Sequence, residues 1–187
     1  MKPFGSSKTK PDPLDLSKIV VEPIASGHVL NRFDCGNGAL NRFLKNKANK
    51  CARRREQAVF VAHLSGDAKC IGYYALQVGS DSVPDTRREK SSYLATYTAF
   101  PAINIGFLAV DRQVQNAGLG TFLLQDAFEK VAQVAEIVGF YAVTLQSLNA
   151  KTTAFYESIG FSTYAELPHP KMIYPVESIL AMRERSG

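Results

Sequence analysis

Few of the residue groupings that tie a chain to a metal, a disulfide framework or a membrane are present here. The three cysteines among 187 residues, Cys35, Cys51 and Cys70, form no CxxC pair and are odd in number, which argues against both a disulfide framework and a zinc site. The histidines His28, His63 and His169 are scattered along the chain, so no metal is expected. No apolar run approaches the roughly 20 residues of a membrane span. Residues 1–10 lack the apolar centre of a secretory signal, and a reducing cytoplasm is the expected setting. Also missing are the Gly-Lys-Ser/Thr ending of a phosphate loop and the three-glycine dinucleotide fingerprint. Internal repeats and low-complexity segments are absent. What remains is globular: 45% hydrophobic and 21% charged residues, in a chain long enough to bury one real core.

The most informative stretch runs from Ile103 to Glu129. Ile103–Val110 is nearly unbroken apolar, as expected of a central strand covered on both faces. A tight turn follows, then an amphipathic helix over 118–138 whose start carries Gly118 and Gly120. Glycine there removes Cβ atoms where backbone must approach a ligand, and a helix start presents unpaired N–H groups with positive dipole character. A phosphate-bearing ligand fits such a place.

The rest of the chain reads coarsely as a mixed α/β sheet flanked by helices. Residues 1–16, with Pro3, Pro11 and Pro13, suggest a flexible arm before one domain over 17–187. Strands are expected at Ile19–Pro23, at Ala58–Leu64 and Ile71–Val78 around a Ser65-Gly66-Asp67 turn, and at Tyr141–Gln146. Residues 81–90 read as a polar loop, with Tyr93, Tyr97 and Phe100 folding back onto the body. A short helix at 151–158 and strands at Phe161–Tyr164 and Met172–Tyr174 complete the order.

Net charge is +5, and its placement matters more than its size. From about Asn37, Leu40, Phe43, Leu44, Ala48 and Cys51 recur at helical spacing and make one apolar face. Arg42, Lys45 and Arg53 fall opposite, and Arg53, Arg54 and Arg55 close the segment, with no acidic residue between Asp34 and Glu56. Charge alone leaves two readings: a solvated amphipathic helix with cations at its C-terminus, or a patch that contacts nucleic-acid phosphates.

Gln115-x-x-Gly118-x-Gly120 resembles the pyrophosphate motif of the GCN5-related N-acetyltransferases (GNAT), which bind acetyl-coenzyme A. About 30 residues on, the segment from Asn149 through Phe155 and Tyr156 to Gly160 and Phe161 resembles the second signature of that family. The resemblance spans residues 18–175. It implies the GNAT fold, a mixed, mostly antiparallel central sheet with splayed central strands. It also implies pantetheine along the backbone of Leu108, Ala109 and Val110, and the pyrophosphate around Gln115, Asn116, Ala117, Gly118, Leu119, Gly120 and Thr121. Asn149 and Phe155 border the coenzyme in this reading. Tyr156 resembles the tyrosine that the family places near the coenzyme sulfur, where a phenol can give a proton to the departing thiolate. Packing of Phe155 on Tyr156 is the bland alternative. No general base stands out among Asp111, Asp126 and Glu157, and an acceptor amine of lowered pKa needs none.

Phe33–Leu44, Ile71–Tyr74 and Leu108–Asp111 further resemble the GNAT toxins of type II toxin–antitoxin pairs, which acetylate the α-amine of aminoacyl-tRNA and stop translation. The ester makes that amine less basic than the roughly 7.7–8.0 of a peptide terminus. The resemblance implies that Lys45, Lys47, Lys50, Arg53, Arg54 and Arg55 hold the tRNA through phosphates, and that a ribbon-helix-helix antitoxin and a homodimer partner exist. Phe107 departs from the toxin pattern, which commonly has arginine there. The alternatives are a GNAT acting on a small or protein amine, and a non-enzymatic coenzyme-binding module.

Overall fold

The computed structural model describes residues 14–82, 99–166 and 168–186. Its strands are β1 (Ile19–Pro23), β2 (Ala58–Leu64), β3 (Gly72–Ser82), β4 (Ala99–Val110), β5 (Ala142–Gln146), β6 (Ser162–Ala165) and β7 (Lys171–Pro175). They form one seven-stranded sheet in the order β1-β2-β3-β4-β5-β7-β6. Only β4 and β5 run parallel; every other neighbouring pair is antiparallel. The flanking helices are α1 (Gly38–Asn46), α2 (Ala48–Arg53), α3 (Leu119–Ala135), α4 (Ala150–Ile159) and α5 (Val176–Ser186).

Strand alternation divides the core between the two faces of the sheet. Tyr74 and Leu76 of β3, with Ile103 and Ile105 of β4, pack under α3, whose Leu119, Leu123, Leu124, Ala127, Phe128 and Val131 form the apolar stripe. Tyr73 and Ala75 point the other way, with Phe33, Phe43, Leu44 and Ala48, under α1 and α2. The Tyr73 hydroxyl donates to the Leu40 carbonyl (2.9 Å), which seats α1 on β3.

Two irregularities in β4 shape the molecule. Phe107 pairs with Ala75 but Ile105 with Leu76, so Gly106 is an extra residue that bends the strand. Pairing with β5 covers only Ala102–Ile105 against Ala142–Leu145. Beyond Gly106, β4 keeps β3 as a partner and parts from β5.

Several boundaries differ from the sequence reading. The cationic segment is two helices, broken at Lys47 (φ −120°, ψ −34°), which lets Ala48 turn into the core. β3 and β4 are longer than expected because they extend each other as a hairpin, pairing out to Ser82 and Ala99. α5 was not anticipated; its short apolar pattern is interrupted by charges, and Ile179, 2% exposed, anchors it. Residues 1–13 of the expected arm, and residues 83–90, Tyr93 and Tyr97 of the expected loop, lie outside the described residues. Leu14 and Leu16 pack against the core beside a 3₁₀ turn at Leu16–Lys18. Phe100 is fully buried against Tyr141 and Tyr164.

Candidate active site

At the C-terminal end of β4 the chain turns through a 3₁₀ segment, Arg112–Val114, and enters α3. Asn116 (φ 63°) and Gly118 (φ 84°) both take left-handed backbone in this turn. Gly118 is the N-cap of α3 and supplies no side chain to its first turn. The N–H groups of Leu119, Gly120 and Thr121 are left for a ligand or solvent. A Cβ on Gly120 would lie 3.6 Å from Phe155 and 3.9 Å from Val110, so three residues singled out in the sequence meet around one atom position. The absence of a Cβ keeps the mouth of the turn open to a bulky anion, and the helix start favours negative charge.

The turn is tied to the loop that leads into α1. Asp111, 3% exposed, accepts N–H bonds from Asp34 and Gln113 (both 2.9 Å). Its neighbour Arg112 donates its backbone N–H to the Asp34 carbonyl (2.9 Å) and pairs its guanidinium with the Asp34 carboxylate (3.0 Å). Gln115 gives its side-chain amide to the carbonyls of Cys35 and Val110 (3.0 Å each). That amide is therefore spent on the protein, and the group left on Gln115 for a phosphate is its backbone N–H. The sequence marked Asp111 and Gln115 but showed nothing of their common partner at 34–35, some 80 positions away.

The remaining sequence-marked residues fall as follows. Leu108 and Val110 are half-buried on the α3 side, where β4 has no β5 neighbour. Ala109 is buried on the opposite face, and Leu119 sends its side chain into the core. Ala117 is half-buried within the turn. Asn149 caps α4, accepting from the Thr152 N–H (3.0 Å) while Thr152 Oγ1 accepts from the Asn149 N–H (3.1 Å). Phe107 stacks on Phe43 of α1 (centroids 3.6 Å, planes 8° apart), which accounts for an aromatic at that position.

Tyr156 is 8% exposed, packed against Phe155 and Phe161. Its hydroxyl has no hydrogen-bond partner among the described residues. Burial pushes its pKa up to about 12, so it stays a proton donor at any physiological pH. The carboxylates give no free base nearby: Asp111 is a cap, Asp126 accepts from Tyr74 (2.5 Å) and Lys130 (2.8 Å), and Glu157 is exposed.

Lys45, Lys47, Lys50, Arg53, Arg54 and Arg55 are all exposed along α1, α2 and the turn after them. Arg54 pairs with Glu56 (3.5 Å); the others have no ion-pair partner among the described residues. Through the Asp34 loop, this cationic surface is braced directly against the turn before α3.

The histidines require a correction. His28 and His63 are not scattered in space: both place Nε2 against Glu22 Oε1, at 2.9 and 3.3 Å. Pairing of β1 with β2 sets Glu22 beside His63, and the turn after β1 carries His28 back to the same carboxylate. The donor chemistry of His28 does not suit a cation. His28 Nδ1 accepts the Ala25 N–H (3.0 Å), so its proton sits on Nε2, the atom a metal would need.

A β4–β5 opening, a glycine-gated helix start and a buried phenol beside them define an acyltransferase of the coenzyme A-dependent class. The acetyltransferase (GNAT) domain model matches residues 55–163, and the chain belongs to this family of acetyltransferases. Among curated proteins it is 26% identical over 174 residues to the probable toxin TacT of Sinorhizobium fredii, covering 89% of this chain and 96% of that one. It is 30% identical over 142 residues to a tRNA-acetylating toxin of Mycobacterium tuberculosis, covering 74% and 81%. Among solved structures, a tyrosine-to-phenylalanine mutant of KacT superposes with TM-score 0.79 at 26% identity, covering 88% of this chain and 99% of that one. AtaTR bound with acetyl-coenzyme A gives 0.76 at 25% identity, covering 89% and 99%. AtaT complexed with acetyl-methionyl-tRNAfMet gives 0.76 at 26% identity, covering 88% and 98%.

Proposed function

We propose that this acetyltransferase is a toxin that moves the acetyl group of acetyl-coenzyme A onto the α-amine of an aminoacyl-tRNA and so blocks translation. The observation that carries the reading is the bracing of the cationic α1–α2 surface on the coenzyme turn through Asp34, Asp111, Arg112 and Gln115. A solvated helix has no need of that connection, whereas a surface that delivers an acceptor stem to a thioester does. The relatives that act on tRNA support the same acceptor.

The chain's own groups fit acetyl-coenzyme A. The free N–H groups of Leu119, Gly120 and Thr121 suit its diphosphate, and unpaired β4 backbone beyond Gly106 suits the amides of its pantetheine arm. Bound there, it supplies an acetyl thioester. Asn149 and Phe155 border the arm, and Tyr156 holds a proton for the sulfur. Lys45, Lys47, Lys50, Arg53, Arg54 and Arg55 contact tRNA phosphates. Residues 17–187 act as one catalytic domain in the cytoplasm, where the acceptor is found, as a homodimer restrained by a ribbon-helix-helix antitoxin. Among the described residues no helix is long and apolar enough to cross a membrane.

The test is acetyl transfer from labelled acetyl-coenzyme A to a panel of aminoacyl-tRNAs and, in parallel, of small amines and peptides. Labelled tRNA, with growth arrest on expression that a neighbouring antitoxin gene relieves, is the expected result. Transfer to small amines or peptides alone would replace this reading.

A further inference from the structure

We infer that Leu16, in the segment ahead of β1, is a positioning residue for the coenzyme diphosphate. Its side chain holds Gly118, and with it the N–H groups at the start of α3, in the geometry that receives the anion. That role deepens the proposed function and rests on its seating of acetyl-coenzyme A at this helix start.

β1 begins at the end of the sheet where β4 finishes, since Ile19 pairs with Leu64, Ala62 with Gly72 and Gly72 with Val110. Three steps across the sheet separate the two strands, about 14 Å at ordinary strand spacing. The segment before β1 nonetheless meets the turn after β4. A Cβ on Gly118 would lie 3.4 Å from Leu16 Cδ1, and among the described residues no other atom comes within 4 Å of that point, chain neighbours of Gly118 aside. Leu16 is held in place from both ends. The Asp15 carboxylate accepts from the Ser17 N–H (3.1 Å) and hydroxyl (2.6 Å), and the Lys18 carbonyl accepts from the Ser65 N–H (2.8 Å) just past β2. Leu14 and Leu16 pack half-buried against the same core as Val110, Val114 and Phe122, which flank the turn.

The turn needs that support. Asn116 and Gly118 are both left-handed, and Asn116 carries a Cβ that makes this backbone costly, so it persists only where the surroundings hold it. α3 has no side-chain cap, and the aim of the N–H groups of Leu119, Gly120 and Thr121 follows from where Gly118 sits. Gln115 ties the turn to Cys35 and Val110, whereas Leu16 makes the contact at Gly118 itself. An apolar side chain cannot bond a phosphate, so its influence on the anion passes through backbone geometry. A small shift of Gly118 would misalign several directional N–H···O bonds together.

The test uses the full chain with Leu16→Ala, Leu16→Val and Leu16→Met. It reads coenzyme A affinity by calorimetry, melting temperature, and kcat and KM with two donors on the acceptor that the transfer assay identifies. The donors are acetyl-coenzyme A and acetyl-pantetheine, which carries the same thioester without a diphosphate. Leu16→Val keeps a branched side chain but lacks the δ carbon that faces Gly118; Leu16→Met keeps the reach. Leu16→Ala and Leu16→Val should raise the coenzyme A Kd and the acetyl-coenzyme A KM about fivefold or more, with kcat at saturation and kcat/KM for acetyl-pantetheine within about twofold of wild type. Leu16→Met should restore the affinity. Wild-type coenzyme A affinity in Leu16→Ala and Leu16→Val overturns the inference. An equal loss with both donors, in step with a lower melting temperature, also overturns it and makes Leu16 a packing residue. A wild type that uses both donors with the same KM overturns instead the seating of the diphosphate at α3.

Discussion

Tyr156→Phe removes one hydroxyl and almost no volume. Because that hydroxyl has no partner among the described residues, thermal stability should stay within a degree or two, the response of a domain this size to less than about 1 kcal/mol. The catalytic effect is set by the same burial. General acid catalysis is typically worth about 10²–10⁴. A phenol pushed up to about 12 by desolvation is a poorer proton donor than one at its ordinary value near 10. A thiolate with a pKa near 8.5 would draw the proton uphill by roughly 3–4 units. The hydroxyl then acts mainly through a hydrogen bond to sulfur as negative charge develops there. Bonds to charged groups contribute about 1.5–3 kcal/mol, roughly 10- to 150-fold. The expected loss in kcat is therefore about 10², the lower end of the general-acid range. KM for either substrate should barely move, since the bond is made in the transition state. The phenol should add no falling limb to the pH–rate profile through the neutral range, because it remains protonated there. Single-turnover acetyl transfer by wild type and Tyr156→Phe at matched coenzyme saturation is the assay. Rates within twofold of each other would refute the reasoning and leave Tyr156 a packing residue of the Phe155–Phe161 cluster.

Thr121 is exposed in the first turn of α3. Thr121→Glu should leave the fold intact or raise its stability by about 0.3–1 kcal/mol through the helix dipole, yet repel a diphosphate. Calorimetry showing unchanged acetyl-coenzyme A affinity would remove the anion from that helix start. Neutralising Lys45, Arg53 and Arg54 together should weaken tRNA binding and flatten its salt dependence by up to about 0.7–0.9 in log–log slope per lost contact. Coenzyme affinity should hold, and an unchanged slope means a solvated face. Burial raises the Asp81 pKa, but hydrogen bonds from Tyr164 (2.6 Å) and Lys171 (2.9 Å) outweigh it, and the net shift is downward. A depressed carboxylate stabilises the fold above its unfolded pKa near 3.9 and loses that contribution as pH falls through the lower folded value. Melting from pH 6 to 3 should therefore fall more steeply in wild type than in Asp81→Asn, and parallel curves would show that this clasp contributes nothing.

The chain order of strands and helices was legible because each run carries its own period. Ala58–Leu64 appears in the structure with the bounds expected of it, and Leu119–Ala135 departs from its expected span only at the frayed ends. Gly118 and Gly120 announced the turn into α3, and at Gly118 the left-handed backbone (φ 84°) is one that glycine adopts without strain. Sequence also marked the phenol Tyr156 and the unbroken cationic run after Asp34. What it could not show is what meets across the sheet. Hydrophobic spacing specifies which face of an element is buried, not which distant element covers it. Tertiary structure alone decided that Gln115 spends its amide on Cys35 and Val110, and that His28 and His63 share Glu22. It also decided where β4 and β5 part, at Gly106, an extra residue on one strand that shifts the register against β3. A bulge depends on the pairing of two strands, and pairing becomes definite only when the chain has folded.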